Sequence, residues 1–205
     1  MANTHEAVVA KLNGIPGYRP LFQKAFGSPG VTIDNLAKAV ATFERTLLSG
    51  NSAYDRYKAG NKNAMPPSQV RGMDVFFNKA KCDQCHEGIP FTSNSYHNLG
   101  VGTDKPEPDA GRFEVTKDPA DWGTFKTPGL RDVSRSAPYM HDGSLKTLDE
   151  VVDFYDKGGL PNKNLDEKLK KLNLTADQKK DLVEFLKALD GQGWQKVAVP
   201  ASFPQ

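Results

Sequence analysis

Residues 81–88 read KCDQCHEG, and the chain's only two cysteines, Cys82 and Cys85, lie there, followed at once by His86. A disulfide across so short a gap would close a very small loop and stabilise little. A redox CxxC calls for a thioredoxin-like βαβ context, and the sequence offers none. A structural zinc site takes four protein ligands, and no second cysteine pair exists to complete one. What remains is covalent capture of a haem. Each thiol adds to one vinyl group, the two-residue gap presents both sulfurs to one porphyrin edge, and the adjacent imidazole reaches the iron from the proximal side. One covalently attached haem c is the expected cofactor, held by Cys82, Cys85 and His86.

Haem iron with one protein ligand is open for chemistry, whereas with two it mainly carries electrons. Met140, His141, Tyr155 and His97 stand downstream as candidates for the second ligand, and Met65 and Met73 upstream. Met73 lies on an apolar helical stripe, where methionine fills gaps in a core. Arg131, in TPGLRDV, can meet a haem propionate through the two-pronged match of guanidinium to carboxylate; a salt bridge to a nearby acid is the competing role.

The elements that must position these residues are short helices joined by long loops rich in glycine and proline. The chain has 205 residues, 38% of them hydrophobic and 25% charged, with a net charge of +2. That balance suits a globular protein and argues against nucleic acid as a partner. No apolar run approaches a membrane span. The N-terminal MANTHEAVVAKL has neither the basic start nor the apolar centre of an export signal.

A first helix is expected from NTHEAVVAKL, capped at Asn3 with Glu6 three residues on. A stronger one follows in TIDNLAKAVATFERTLLS, with Thr32 as N-cap, Ile33, Leu36, Val40, Phe43 and Leu47 on one face, and Gly50 as its end. Ser68 is the expected cap of QVRGMDVFFNKA, whose stripe is Val70, Met73, Phe76 and Phe77. From Gly88 to Ala137 the pattern is loop-like, and only 112–116 hints at a strand. Two capping boxes, Thr147 with Glu150 and Thr175 with Gln178, open the last two helices, the latter with an apolar face of Leu182, Phe185, Leu186 and Leu189. The expected class is all-α: a cytochrome c-like haem domain with long loops.

An ordered set of stretches carries a resemblance: AKAVATFERTLLSGNSAYDRY, YHNLGVG (96–102), DAGRFEVT, FKTPGLRDV and RSAPYMHDGSLKTLDEVVDFYDKGG. From about residue 6 to 190 the chain resembles the bacterial di-haem cytochrome c peroxidases, including their MauG-like branch. The resemblance implies that this is the C-terminal, electron-transfer haem domain (61–190), preceded by helices of a partner haem domain (1–60) and followed by a tail (191–205). It implies a distal iron ligand at Tyr155, with Met140 as the alternative. His97 is expected in a polar loop or near a propionate, and His141 to order its own loop beside the haem.

The family's other features are implied in the same way. Calcium between two domains would draw on carbonyls matching Ser136 and Pro138, too few to hold it alone. The electron donor would be a small cytochrome c or a cupredoxin, and the location the periplasm, where haem is attached to CxxCH. Members of the family carry a second CxxCH and a catalytic glutamate ahead of the stretch that resembles MANTHEAVV, so no catalytic residue is assigned in this chain, which reads as beginning just past that glutamate. Either the intact enzyme reduces hydrogen peroxide, or a MauG-like member oxidises protein side chains; a stand-alone mono-haem electron carrier is the remaining reading. The apolar faces of residues 1–50 are expected to lack part of their core and to need a partner haem domain or chain.

Overall fold

The computed structural model describes residues 3–205; Met1 and Ala2, at the start of the expected first segment, lie outside the described residues. The fold is helix-rich with very little strand. The chain divides into two compact units, one formed by the segment ending at Leu48 together with Gly193–Gln205, the other by Ser49–Gln192.

The first unit holds α1 (His5–Asn13), α2 (Tyr18–Phe26) and α3 (Ile33–Glu44). Thr4, not Asn3, caps α1, its hydroxyl accepting from the Ala7 amide at 3.1 Å. The helix thus starts at His5, and Glu6 falls too early to close a reciprocal box. Thr32 caps α3 as expected, but α3 ends at Glu44, short of Gly50. Asn13 ties the end of α1 to the strap before α3, accepting from the Val31 amide at 2.9 Å and donating to its carbonyl at 3.0 Å. Phe22 and Val31 are buried, while Leu21, Val40, Phe43 and Leu48 stay exposed.

The second unit contains α4 (Ala53–Lys58), α5 (Pro67–Asp74), α6 (Phe113–Thr116), α7 (Leu148–Asp156) and α8 (Ala176–Lys187). Helix α4, expected in the segment 1–60, packs here through Tyr54, whose ring meets Phe185 edge-on at 5.7 Å. Pro66 occupies the N-cap of α5 and Pro67 its first turn, so Ser68 is inside the helix and caps nothing. Proline suits that place, because its missing N–H has no helical partner there in any case. Residues 112–116, expected as a strand, form the helical turn α6, closed by the Thr116 amide on the Arg112 carbonyl at 3.1 Å. Both capping boxes form, on α7 and on α8.

Helices α5 and α8 make the main contact of the unit. Gly72 is buried, and a Cβ there would run into the Asp181 backbone and Phe185. The helices therefore touch backbone to backbone, an approach only glycine permits. Arg71 clamps the crossing with two parallel bonds to Asp181, at 2.7 and 2.8 Å. Phe76, Phe185 and Leu189 are fully buried in the core beneath, with Leu182 and Leu186 beside them. At the end of α5 the backbone loosens into a wider five-residue turn, Val75–Lys79, which delivers the chain to the cysteines.

Candidate functional site

Cys82–Gln84 form one tight turn, and the amides of Cys85 and His86 both return to the Cys82 carbonyl, at 3.2 and 2.9 Å. This small knot holds both thiols and the imidazole on one short arc. Neither cysteine is in a disulfide. Burial pushes the Cys82 thiol up to about 12, with Asp83 adding to the effect, so the sulfur is a protonated thiol in an apolar wall.

His86 sits deeper. Its Nδ1 lies 3.0 Å from the Phe91 carbonyl, and an oxygen with only lone pairs to offer requires Nδ1 to donate. That fixes the tautomer and leaves Nε2 as the free lone pair. Burial lowers the imidazole's pKa, only partly offset by the carbonyls of Phe91 and Pro128, so the ring is held neutral. A neutral, oriented imidazole with its second nitrogen engaged is the usual form of a metal-binding histidine.

These groups open onto a cavity of about 1080 Å³, lined by Cys82, Cys85, His86, Leu130, Val152 and Leu186 among others. Its volume stands at the top of the roughly 300–1,000 Å³ range of cofactor pockets. The three stretches YHNLGVG, FKTPGL and APYMHDGS build its far wall. Tyr96–His97 pairs antiparallel with Phe125–Lys126, and His141 stacks on Phe125 with centroids 3.6 Å apart. Gly100 adopts φ +83°, and a Cβ there would strike the Leu160 carbonyl, which brings the loop after α7 against this wall. Asn98, fully buried, exchanges amide bonds with Asn162 at 3.0 and 3.1 Å and donates to the Trp122 carbonyl at 2.9 Å.

Tyr155, Met140, His97 and His141 all line this cavity with His86. Tyr155 comes from α7, an ordered helix, and burial raises its phenol above the ordinary value, with the two cysteines adding to the rise. Met140 comes from a loop and holds a left-handed φ of +72°. Met65 is buried in the core and Met73 is packed against it, as gap-fillers. Ser136 and Pro138 stand in the cavity wall. Among the described residues no group of three or more His, Cys, Asp or Glu could hold a metal ion.

Arg131 is placed otherwise than for a propionate. It does not line the cavity; its guanidinium makes two bonds of 2.8 Å to Asp55, a third to Ser52, and a fourth to the Ile89 carbonyl at 2.9 Å. Asp55 sits in the first turn of α4, so Arg131 ties that helix to the loop before it. A salt bridge forms, but a largely shielded one to Asp55 and not a surface bridge to Asp132 or an acid nearby in sequence.

Do these residues fit a haem? Beyond the thiols and the free His86 Nε2, one buried polar atom answers. His97 Nδ1 is bound to Asp166 at 2.6 Å, while its Nε2 is buried and has no partner. A buried orphan nitrogen is costly unless a group fills the space before it. A haem carboxyl group placed before that nitrogen would meet the need, and the residues fit the group. Asp166 carried no signal in the sequence; Asn98 could have been found only from its place inside YHNLGVG.

Fold and site together define the class: a helical c-type haem protein with a CxxCH turn at the end of one helix and a second candidate ligand on another. The family model "Di-haem cytochrome c peroxidase" matches residues 1–63. Cytochrome-c peroxidase IdrP1 of Pseudomonas sp. (strain SCT) is 38% identical over 209 residues, covering 87% of this chain and 55% of that protein. The methylamine utilization protein MauG of Methylophilus methylotrophus is also 38% identical, over 95% of this chain and 58% of its own length. A solved MauG-like protein associated with microbial copper homeostasis superposes with a TM-score of 0.74 at 31% identity, covering 93% of this chain and 63% of that one. The chain belongs to the di-haem cytochrome c peroxidase and MauG family. It spans a little over half the length of the curated relatives it matches.

Proposed function

We propose that Ser49–Gln192 is the electron-transfer haem domain of a di-haem peroxidase-like oxidoreductase, which in the intact enzyme reduces hydrogen peroxide with electrons from a donor protein. The observation that carries this reading is the convergence of Cys82, Cys85, His86 and Tyr155 on one large, mostly apolar cavity. Bound haem would supply a one-electron redox centre there.

The chain's own residues do the rest. Cys82 and Cys85 anchor one edge, and the Phe91 carbonyl orients His86 so that its Nε2 faces the cavity. Tyr155, on α7, would be the preferred second iron ligand, with Met140 as the alternative. An anionic phenolate favours ferric iron more than a thioether does, so tyrosine there implies a lower potential. Asp166 holds His97 at Nδ1 and leaves Nε2 to meet a haem carboxyl group. Calcium on the Ser136 and Pro138 carbonyls, a periplasmic location and a donor of small-cytochrome or cupredoxin type belong to the same reading.

Oxidation of a protein substrate, as in the MauG branch, is the second reading, favoured by Tyr155 alone. Among the described residues no helix is long and apolar enough to cross a membrane. The test is peroxide turnover by the haem-loaded 205-residue chain. The proposal expects a reducible haem with little turnover; brisk peroxide consumption by this chain would contradict its assignment as the electron-transfer half.

A further inference from the structure

The rim of the cavity carries an uneven charge. Lys79, Lys81, Lys168, Lys170 and Lys171 are exposed, and all five line the cavity that His86 faces. They come from two separate segments that meet at the cysteine side. Lys81 directly precedes Cys82, the Lys168 charge acts on the Cys85 thiol, and the Lys79 ammonium bonds the Asn173 carbonyl at 3.2 Å. Among the described residues none of the five forms an ion pair; Lys79 also bonds the Gln178 side-chain oxygen at 2.7 Å, and one acid, Glu167, lines the cavity with them. Lys81 also holds a left-handed φ of +53°, where glycine would be the unstrained choice. The chain's net charge is only +2, so this cluster is a local feature and not an overall excess.

We propose that this lysine rim is the docking face for an acidic redox protein, whose carboxylates surround its own redox centre. The inference rests on the functional reading above and narrows its donor to one sign of charge. Complementary charge steers encounter and sets orientation more than it adds final affinity. Docking on these lysines would bring the partner to the side of the cavity where Cys82 and Cys85 stand. The partner gives up one electron and this domain gains it; no bond forms and no proton needs to move.

The experiment uses the full chain matured with its haem and two reduced mono-haem cytochromes c of similar size, one strongly acidic and one strongly basic. Binding is followed by titration calorimetry, and electron transfer by stopped flow, at low and high salt. The acidic cytochrome should bind and react faster at low salt, and salt should slow it roughly tenfold or more. The triple variant K168E/K170E/K171E should lose most of that advantage, and a K168Q/K170Q/K171Q control should fall between. Because these lysines line the haem cavity, haem content and visible spectrum are measured in all three proteins and rates are compared per bound haem. Salt-independent rates, or a basic cytochrome that binds more tightly at low salt, would overturn the docking face. A protein that dithionite cannot reduce would instead remove the functional reading, and the docking face with it.

Discussion

A histidine that donates Nδ1 to a backbone carbonyl has one lone pair left, and in His86 that lone pair faces a cavity walled by two thiols. The second ligand is the residue-scale question. Tyr155 lies on a capped helix and Met140 on a strained loop, so the helix offers the better-fixed group. Tyr155→Phe should therefore alter the visible spectrum of the ferric protein and raise its potential. An unchanged low-spin spectrum would exclude tyrosine and leave Met140, which Met140→Leu would then disturb. The cysteines and His86 were legible because their chemistry needs a fixed local spacing. The bond from Arg131 to Asp55 was not legible, because the two lie 76 residues apart and no local pattern announces a tie between a loop and a distant helix. Asp166, which fixes His97, was missed for the same reason.

Elements with a capping box were read to the residue: Thr147 with Glu150, and Thr175 with Gln178. Those signals lie within one turn and are closed by local bonds. Where the cap rests on tertiary context, the sequence misled; Ser68 gave way to Pro66, and 112–116 became a helical turn held by Thr124. The glycine at 72 had no local meaning, yet it sets the closest helix contact in the unit. Gly72→Ala should cost about 1–3 kcal/mol by overpacking α5 against α8. Urea denaturation of the haem-loaded chain would show it as a lower midpoint at unchanged slope, and a variant as stable as the parent would contradict backbone contact at that crossing.

At the scale of the whole molecule, several carboxylates tie distant segments together. For Asp55, Asp142, Asp156 and Asp166 burial alone would raise the pKa, but hydrogen bonds and cations outweigh it and hold each below the ordinary value. Asp142, bonded to Lys105 and the Ser144 amide, falls from 3.8 to about 2. Groups depressed in this way stabilise the fold above their unfolded pKa, and that stability fades as pH falls through the folded value. The thermal midpoint should therefore decline as pH drops from about 3.8 toward about 2. A midpoint flat across that window would contradict these pairs. Ile33, Val40 and Phe43, exposed in the first unit, were legible as a stripe on one helix, but what covers them is not written in the stripe.

Covalent attachment is the most direct test of the account. The chain, produced where c-type cytochromes are assembled, should emerge coloured, and its denatured mass should exceed that of the polypeptide by one haem. Cys82→Ala/Cys85→Ala should abolish both. A colourless wild-type protein at the mass of its bare polypeptide would contradict the assignment of Cys82, Cys85 and His86 as a haem site.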